Sequence, residues 1–144
     1  MRRYLSFNLD LGMLVLRLAL AIVLLYHGIP KLLNFSGTVA AFQSMGLPVP
    51  IAIVGFAVFA EVVGGLLLLF GVAVDVAGIL VVIDMLGAIL LVHLPKGFDF
   101  TKGGWEHPFT VLCMALAVAL GGAGGYAVGG QRIPYRGPER RRRD

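Results

Sequence analysis

The chain has 144 residues, of which 58% are hydrophobic and 14% charged, with a formal net charge of +4. A soluble domain carries about 25% charged residues, and a core of this size cannot hide so much apolar surface. Composition therefore excludes an ordinary soluble globular domain and points to an integral membrane protein. The single cysteine, Cys113, excludes an intrachain disulfide and a Cys-x-x-Cys redox pair.

In chain order, four stretches reach the spanning length of about 20 apolar residues, at 11–29, 51–70, 76–94 and 109–128. The predicted fold is all-α: a four-helix membrane bundle, one domain over residues 1–130, with a short interfacial helix between helices one and two. The first stretch runs into "LYHGIPK" with no small-residue cleavage site, so it reads as a retained helix, not a signal peptide. Pro30 ends it in this reading, and Pro48 and Pro50 open the second. Between them, Ser36 is the expected cap of a short amphipathic helix with Val39, Phe42 and Met45 on one face. That helix lies in the outer headgroup region, or serves as a lid over the bundle. Ala60 and Gly64 form a small-xxx-small pair for close helix approach.

The tight "GVAVD" turn leads to the third helix. The connection "LPKGFDFTKGGWEHP" then supplies Phe98, Phe100 and Trp105 to an interfacial aromatic belt. The fourth stretch closes in "GGAGGYAVGG", a loosely wound helix end. Residues 131–144 read as a basic, disordered tail that attracts anionic headgroups. Four crossings put both termini on one side. Arg2, Arg3, Arg132, Arg136 and Arg140–Arg143 lie there, against Lys31, Lys96 and Lys102 on the other. This asymmetry predicts cytoplasmic termini.

Ionisable residues inside spans mark functional positions and normally pair. Counting about 1.5 Å per residue from the outer helix ends, Arg17, Glu61 and Asp84 fall near one level at the midplane. The expected pair is Arg17 with Glu61, leaving Asp84 neutral or turned elsewhere. Such a cluster either orders the helices or floors a polar cavity or proton path. A second group, His27, His93, Glu106 and His107, gathers at the outer end. These side chains suit a zinc, copper or iron ion, a quinone carbonyl, or a proton relay; a wet interfacial role suits them equally. No His-x-x-x-His spacing fixes a metal site, so the metal stays unknown. The candidate set is thus His27, His93 and Glu106 as catalytic groups, with Arg17, Glu61, Lys31, Trp105 and Asp84 lining the pocket.

The segments "RLALAIVLLYHGIPKLL", "AEVVGGLLLLFG", "VHLPKGF" and "GGWEHPF", in this order, resemble the DoxX family of bacterial membrane proteins over about residues 11–125. Arg17, His27, Gly28, Lys31, Glu61, Gly64, Gly65, His93, Gly97 and Glu106 match the family's pattern. Asp84 and His107 do not: the family often has an apolar residue and an aromatic at these places. The resemblance implies a multi-pass protein of the bacterial cytoplasmic (inner) membrane. It further implies a subunit of a quinone-linked or oxidative-stress oxidoreductase system, with electrons passing from sulfur compounds to quinone. Expected partners are the lipid bilayer, soluble redox proteins and further copies of the chain, with no nucleic acid. Quinone is the one cofactor suggested. A non-enzymatic anchor that docks partners through the arginine tail stays open, as does a small-molecule carrier with Arg17 as counter-ion.

Overall fold

Inside hydrocarbon, backbone N–H and C=O groups find partners only within their own segment, so the apolar stretches must be helical. The computed structural model describes residues 9–128. Within them the chain forms α1 (Leu9–Leu33), α2 (Phe35–Ser44), α3 (Pro50–Phe70), α4 (Val74–Lys96) and α5 (Glu106–Gly121). The described residues contain no strand. The basic tail and the first arginines lie outside the described range.

By length and composition α1, α3 and α4 can each cross a membrane. The fourth helix differs from expectation: α5 begins at Glu106 and stops at Gly121, after 16 residues. At 1.5 Å per residue it spans about 24 Å, short of the roughly 30 Å hydrocarbon core. Glycine explains the stop, because Gly122 and Gly124 adopt φ of +80° and +73°, where a side chain would be strained. Residues 122–128 then run on without helix.

Two further expectations are corrected. Pro30 does not end α1, which continues to Leu33. A proline inside a helix forfeits one hydrogen bond, and membrane helices absorb this loss through neighbouring groups. Ser36 is not the cap of α2 either. It lies inside the helix, Asn34 occupies the cap position, and its carbonyl accepts from the Thr38 hydroxyl at 2.9 Å. Met45 is 56% exposed and does not share a buried face with Val39 and Phe42.

The bundle's core is built from Leu20 and Leu24 of α1, Leu68 of α3, Val81 of α4 and Val118 of α5, all essentially fully buried. Small residues set the helix spacing. A Cβ on Gly78 would stand 2.8 Å from the Ala115 carbonyl oxygen, so α4 and α5 approach as closely as backbones allow. A Cβ on Gly28 would stand 2.7 Å from the Glu61 Cβ, which locks α1 against α3 at that level. Val15, Ile22, Ile79, Ile83 and Leu116 face outward, as suits a lipid solvent. The amide of Gly125 donates to the Asp10 carboxylate at 2.8 Å, and that of Val128 to the Phe70 carbonyl at 3.0 Å. Both ends of the described chain therefore meet at one end of the bundle, beside the α3–α4 turn.

Candidate functional site

Arg17 is completely buried. Its Nε donates to the Ala123 carbonyl (2.9 Å), Nη1 to Leu68 (2.7 Å) and Nη2 to Tyr126 (2.7 Å). The rigid guanidinium fork is thereby spent on backbone carbonyls at the end of α3 and in the glycine-rich segment after α5. Arg17 does not pair with Glu61, which corrects the expectation from depth.

Glu61 pairs with Lys31. The ammonium donates to Oε1 at 2.6 Å and to Oε2 at 2.7 Å, with the Glu61 side chain 4% exposed and that of Lys31 28%. Because α1 continues past Pro30, Lys31 lies one turn beyond His27 on the same face. Gly28 brings that face against Glu61. The depth count erred because it assumed that all helices start at one outer level. Gly28 is level with Glu61, so α3 begins well beyond this point, and seven residues, or about 10 Å, separate Glu61 from Leu68 at the Arg17 level.

Next to this ion pair lies a cavity of about 660 Å³. Its walls run along α3 from Ala52 to Glu61 and along α4 from Asp84 to His93. Nine residues on each helix give it a length of about 13 Å. Toward this end the two helices part, while near the turn at Gly71–Ala73 they pack together. Each wall ends in a π-helical turn, Phe59–Val63 in α3 and Ile89–His93 in α4. A π turn inserts one extra residue and re-aims the side chains around it, a device common at functional sites. Here the two turns contain Glu61 and His93.

The walls are mostly aliphatic, with Phe42 of α2, Phe56 and Phe100 among them. The polar groups are His27, Lys31, Glu61, Asp84, His93 and His107. The His27 and His107 rings stand 5.3 Å apart, centroid to centroid, with Phe100 5.9 Å from His107. His93 Nδ1 lies 2.7 Å from the Gly103 carbonyl oxygen. A carbonyl only accepts, so Nδ1 carries the proton and Nε2 of the neutral ring keeps its lone pair. Among the described residues, no three His, Cys, Asp or Glu side chains are arranged to hold a metal ion.

Of the residues singled out from sequence, the cavity thus gathers His27, Lys31, Glu61, Asp84 and His93. It leaves out Arg17, Glu106 and Trp105. Glu106 is exposed and accepts from the Phe100 amide at 3.2 Å. Trp105 packs edge-on between Phe98 and Phe109, at 4.6 and 5.7 Å, as an aromatic-belt residue does. His107 takes the place that Glu106 was expected to fill. Its signal was present in the sequence: His107, Val111, Ala115 and Val118 make one stripe at helical spacing, and the last three are buried.

Comparison with known proteins agrees with the resemblance in the motifs. The DoxX family profile matches residues 12–94. Over 116 residues the chain is 34% identical to "Putative oxidoreductase CatD" of Bacillus subtilis (strain 168), covering 81% of this chain and 83% of that relative. Over 81 residues it is 30% identical to "Inner membrane protein YphA" of Escherichia coli (strain K12), covering 56% of this chain and 58% of that protein. No solved structure matches the chain.

Proposed function

This chain belongs to the DoxX family, and from that premise we propose that it is a membrane component of a quinone-linked oxidoreductase system in a bacterial inner membrane. In this reading its cavity seats the quinone head. The observation that carries the reading is a cavity of about 660 Å³ between two parting membrane helices, aliphatic along its walls and set with three histidines and an ion pair. Ligand sites of about 300–1,000 Å³ with a few placed polar groups are the ordinary form of small-molecule pockets. The gap between α3 and α4 favours a ligand that arrives from the lipid phase. The oxidoreductase name of CatD and the inner-membrane name of YphA point the same way.

A bound quinone supplies two-electron, two-proton redox capacity. The chain's own residues hold and protonate it. The Lys31 ammonium and the imidazole N–H groups of His27 and His107 are donors that suit carbonyl oxygens. His93, pinned through Nδ1, presents Nε2 to the cavity. Imidazoles near neutral pH exchange protons readily, which suits a site where each oxygen gains or loses one. Electrons come from a soluble redox partner or from its sulfur-containing substrate. The eight arginines near the chain ends place that side of the bundle in the cytoplasm, where such a partner docks.

The test is native mass spectrometry of the full chain, gently solubilised from its own membrane. A co-purifying mass matching a quinone is expected, and it should disappear in the His27→Ala, His93→Ala double variant. A wild-type chain without such a mass would overturn the quinone reading. One holding only a soluble protein would favour the anchor.

A further inference from the structure

The Lys31–Glu61 pair leaves one acid of the cavity without a partner. Asp84 is 8% exposed, lines the cavity, and its Oδ2 is buried with no hydrogen-bond partner. It lies near enough to Glu61 and Lys31 to feel both charges. Yet the lysine is already held by both oxygens of Glu61. Two carboxyl groups thus share one ammonium, and its contacts go to Glu61.

A buried polar oxygen without a partner costs about 1–3 kcal/mol, and more if charged. Such a group persists in a membrane span when it serves a ligand or a proton. An apolar side chain would pack here without that cost, and α4 is apolar on both sides of the position, as "VVIDML". The cavity's other polar groups do not duplicate Asp84. Lys31 and the N–H groups of the imidazoles donate, and both Glu61 oxygens are taken. His93 Nε2 stands about nine residues, or roughly 13 Å, farther along α4. Asp84 Oδ2 is therefore the free acceptor at the deep end of the cavity.

We infer that Asp84 accepts a hydrogen bond from a hydroxyl on the cavity's ligand, so that the site prefers the hydroxyl-bearing, reduced form of a quinone over the carbonyl form. This rests on the proposed quinone site and adds the redox form that it selects. A carbonyl oxygen placed against Asp84 leaves Oδ2 without a donor and sets two acceptors face to face. A hydroquinone hydroxyl in the same place donates to Oδ2. Sites built to pair a substrate hydroxyl discriminate strongly against analogues that lack it, because the protein's own group is then left unpaired. Asp84 is a specificity-determining residue in this scheme, and no covalent step passes through it.

The test is calorimetric titration of the detergent-solubilised full chain, under anaerobic conditions. The probes are a short-tailed benzoquinone and the same molecule reduced to its hydroquinone. The wild type is expected to bind the hydroquinone about tenfold or more tightly than the quinone, the scale of one hydrogen bond to a carboxylate. Asp84→Leu should remove that preference by weakening hydroquinone binding, with quinone affinity kept within about threefold or improved. Asp84→Asn keeps the shape and a neutral acceptor, and should retain part of the preference. If Asp84→Leu does not fold, as thermal unfolding will tell, Asp84→Asn carries the test by a smaller loss in the same direction. Equal affinity of the wild type for both forms overturns the inference, as does an equal loss of both in Asp84→Leu. In those cases the quinone site itself stands. Binding of neither probe by the wild type overturns both.

Discussion

Each end of the bundle buries a cation from α1, and the two are satisfied in opposite ways. At the end where the chain termini meet, Arg17 gives its three nitrogens to three backbone carbonyls, and the surroundings close over it. Toward the other end, Lys31 meets one carboxylate, a second carboxyl lies close by with a bare oxygen, and a cavity opens beside them. A charge whose donors are all used within the protein is a fastener. A charged group left incompletely matched beside an open volume is a place for something else. Both residues belong to the same helix and to the same family pattern, so residue type alone does not tell the fastener from the site.

The largest effect is expected at the fastener. Arg17→Met leaves three carbonyls without their donor, which should cost about 3–5 kcal/mol at about 1–3 kcal/mol for each lost partner. Arg17→Lys should recover a minor part, since an ammonium cannot reproduce the guanidinium fork. Unfolding in detergent followed by circular dichroism measures both. A mild Arg17→Met with full loss of ligand binding would reverse the comparison and move Arg17 into the site.

The ion pair should show an asymmetry. Lys31→Ala strands the Glu61 carboxylate among apolar groups and should cost about 2–4 kcal/mol, in the manner of a broken buried pair. Glu61→Ala strands an ammonium on a long stem that is 28% exposed and can turn outward, so about 1–2 kcal/mol is expected. The same unfolding assay on both variants and the double variant gives the pair's coupling. Equal costs would mean that Lys31 is as trapped as Arg17.

The smallest effect belongs to Glu106. Glu106→Ala removes an exposed side chain with one long contact to the Phe100 amide. Stability should change by less than about 0.5 kcal/mol, and binding of the benzoquinone probe should stay within error. A loss of binding there would return Glu106 to the site.

Much of the site was legible before any contact was known. His27 and His93 stand out as histidines at one helix end, and Glu61 and Asp84 as acids in otherwise apolar runs. His107 was legible too, through its stripe with Val111, Ala115 and Val118, but a stripe shows which way a residue faces only once the buried face is known. What stayed hidden was pairing. Arg17 and Lys31 were both candidates for Glu61, and choosing between them requires knowing how far α1 is shifted along its axis against α3. That shift is set by Gly28 on Glu61, a contact between segments more than thirty residues apart.

Hydropathy, charge and spacing are sums within a segment, and backbone hydrogen bonding in hydrocarbon is satisfied within a segment as well. Helix type, spanning capacity and the return of both chain ends to one side therefore follow from the chain read alone. The end of α5 at Gly121, the capture of Arg17 by carbonyls of residues 68, 123 and 126, and the cavity between α3 and α4 depend on how separate helices meet. Close contacts at Gly28 and Gly78 decide that meeting, and no pattern within a single helix contains them.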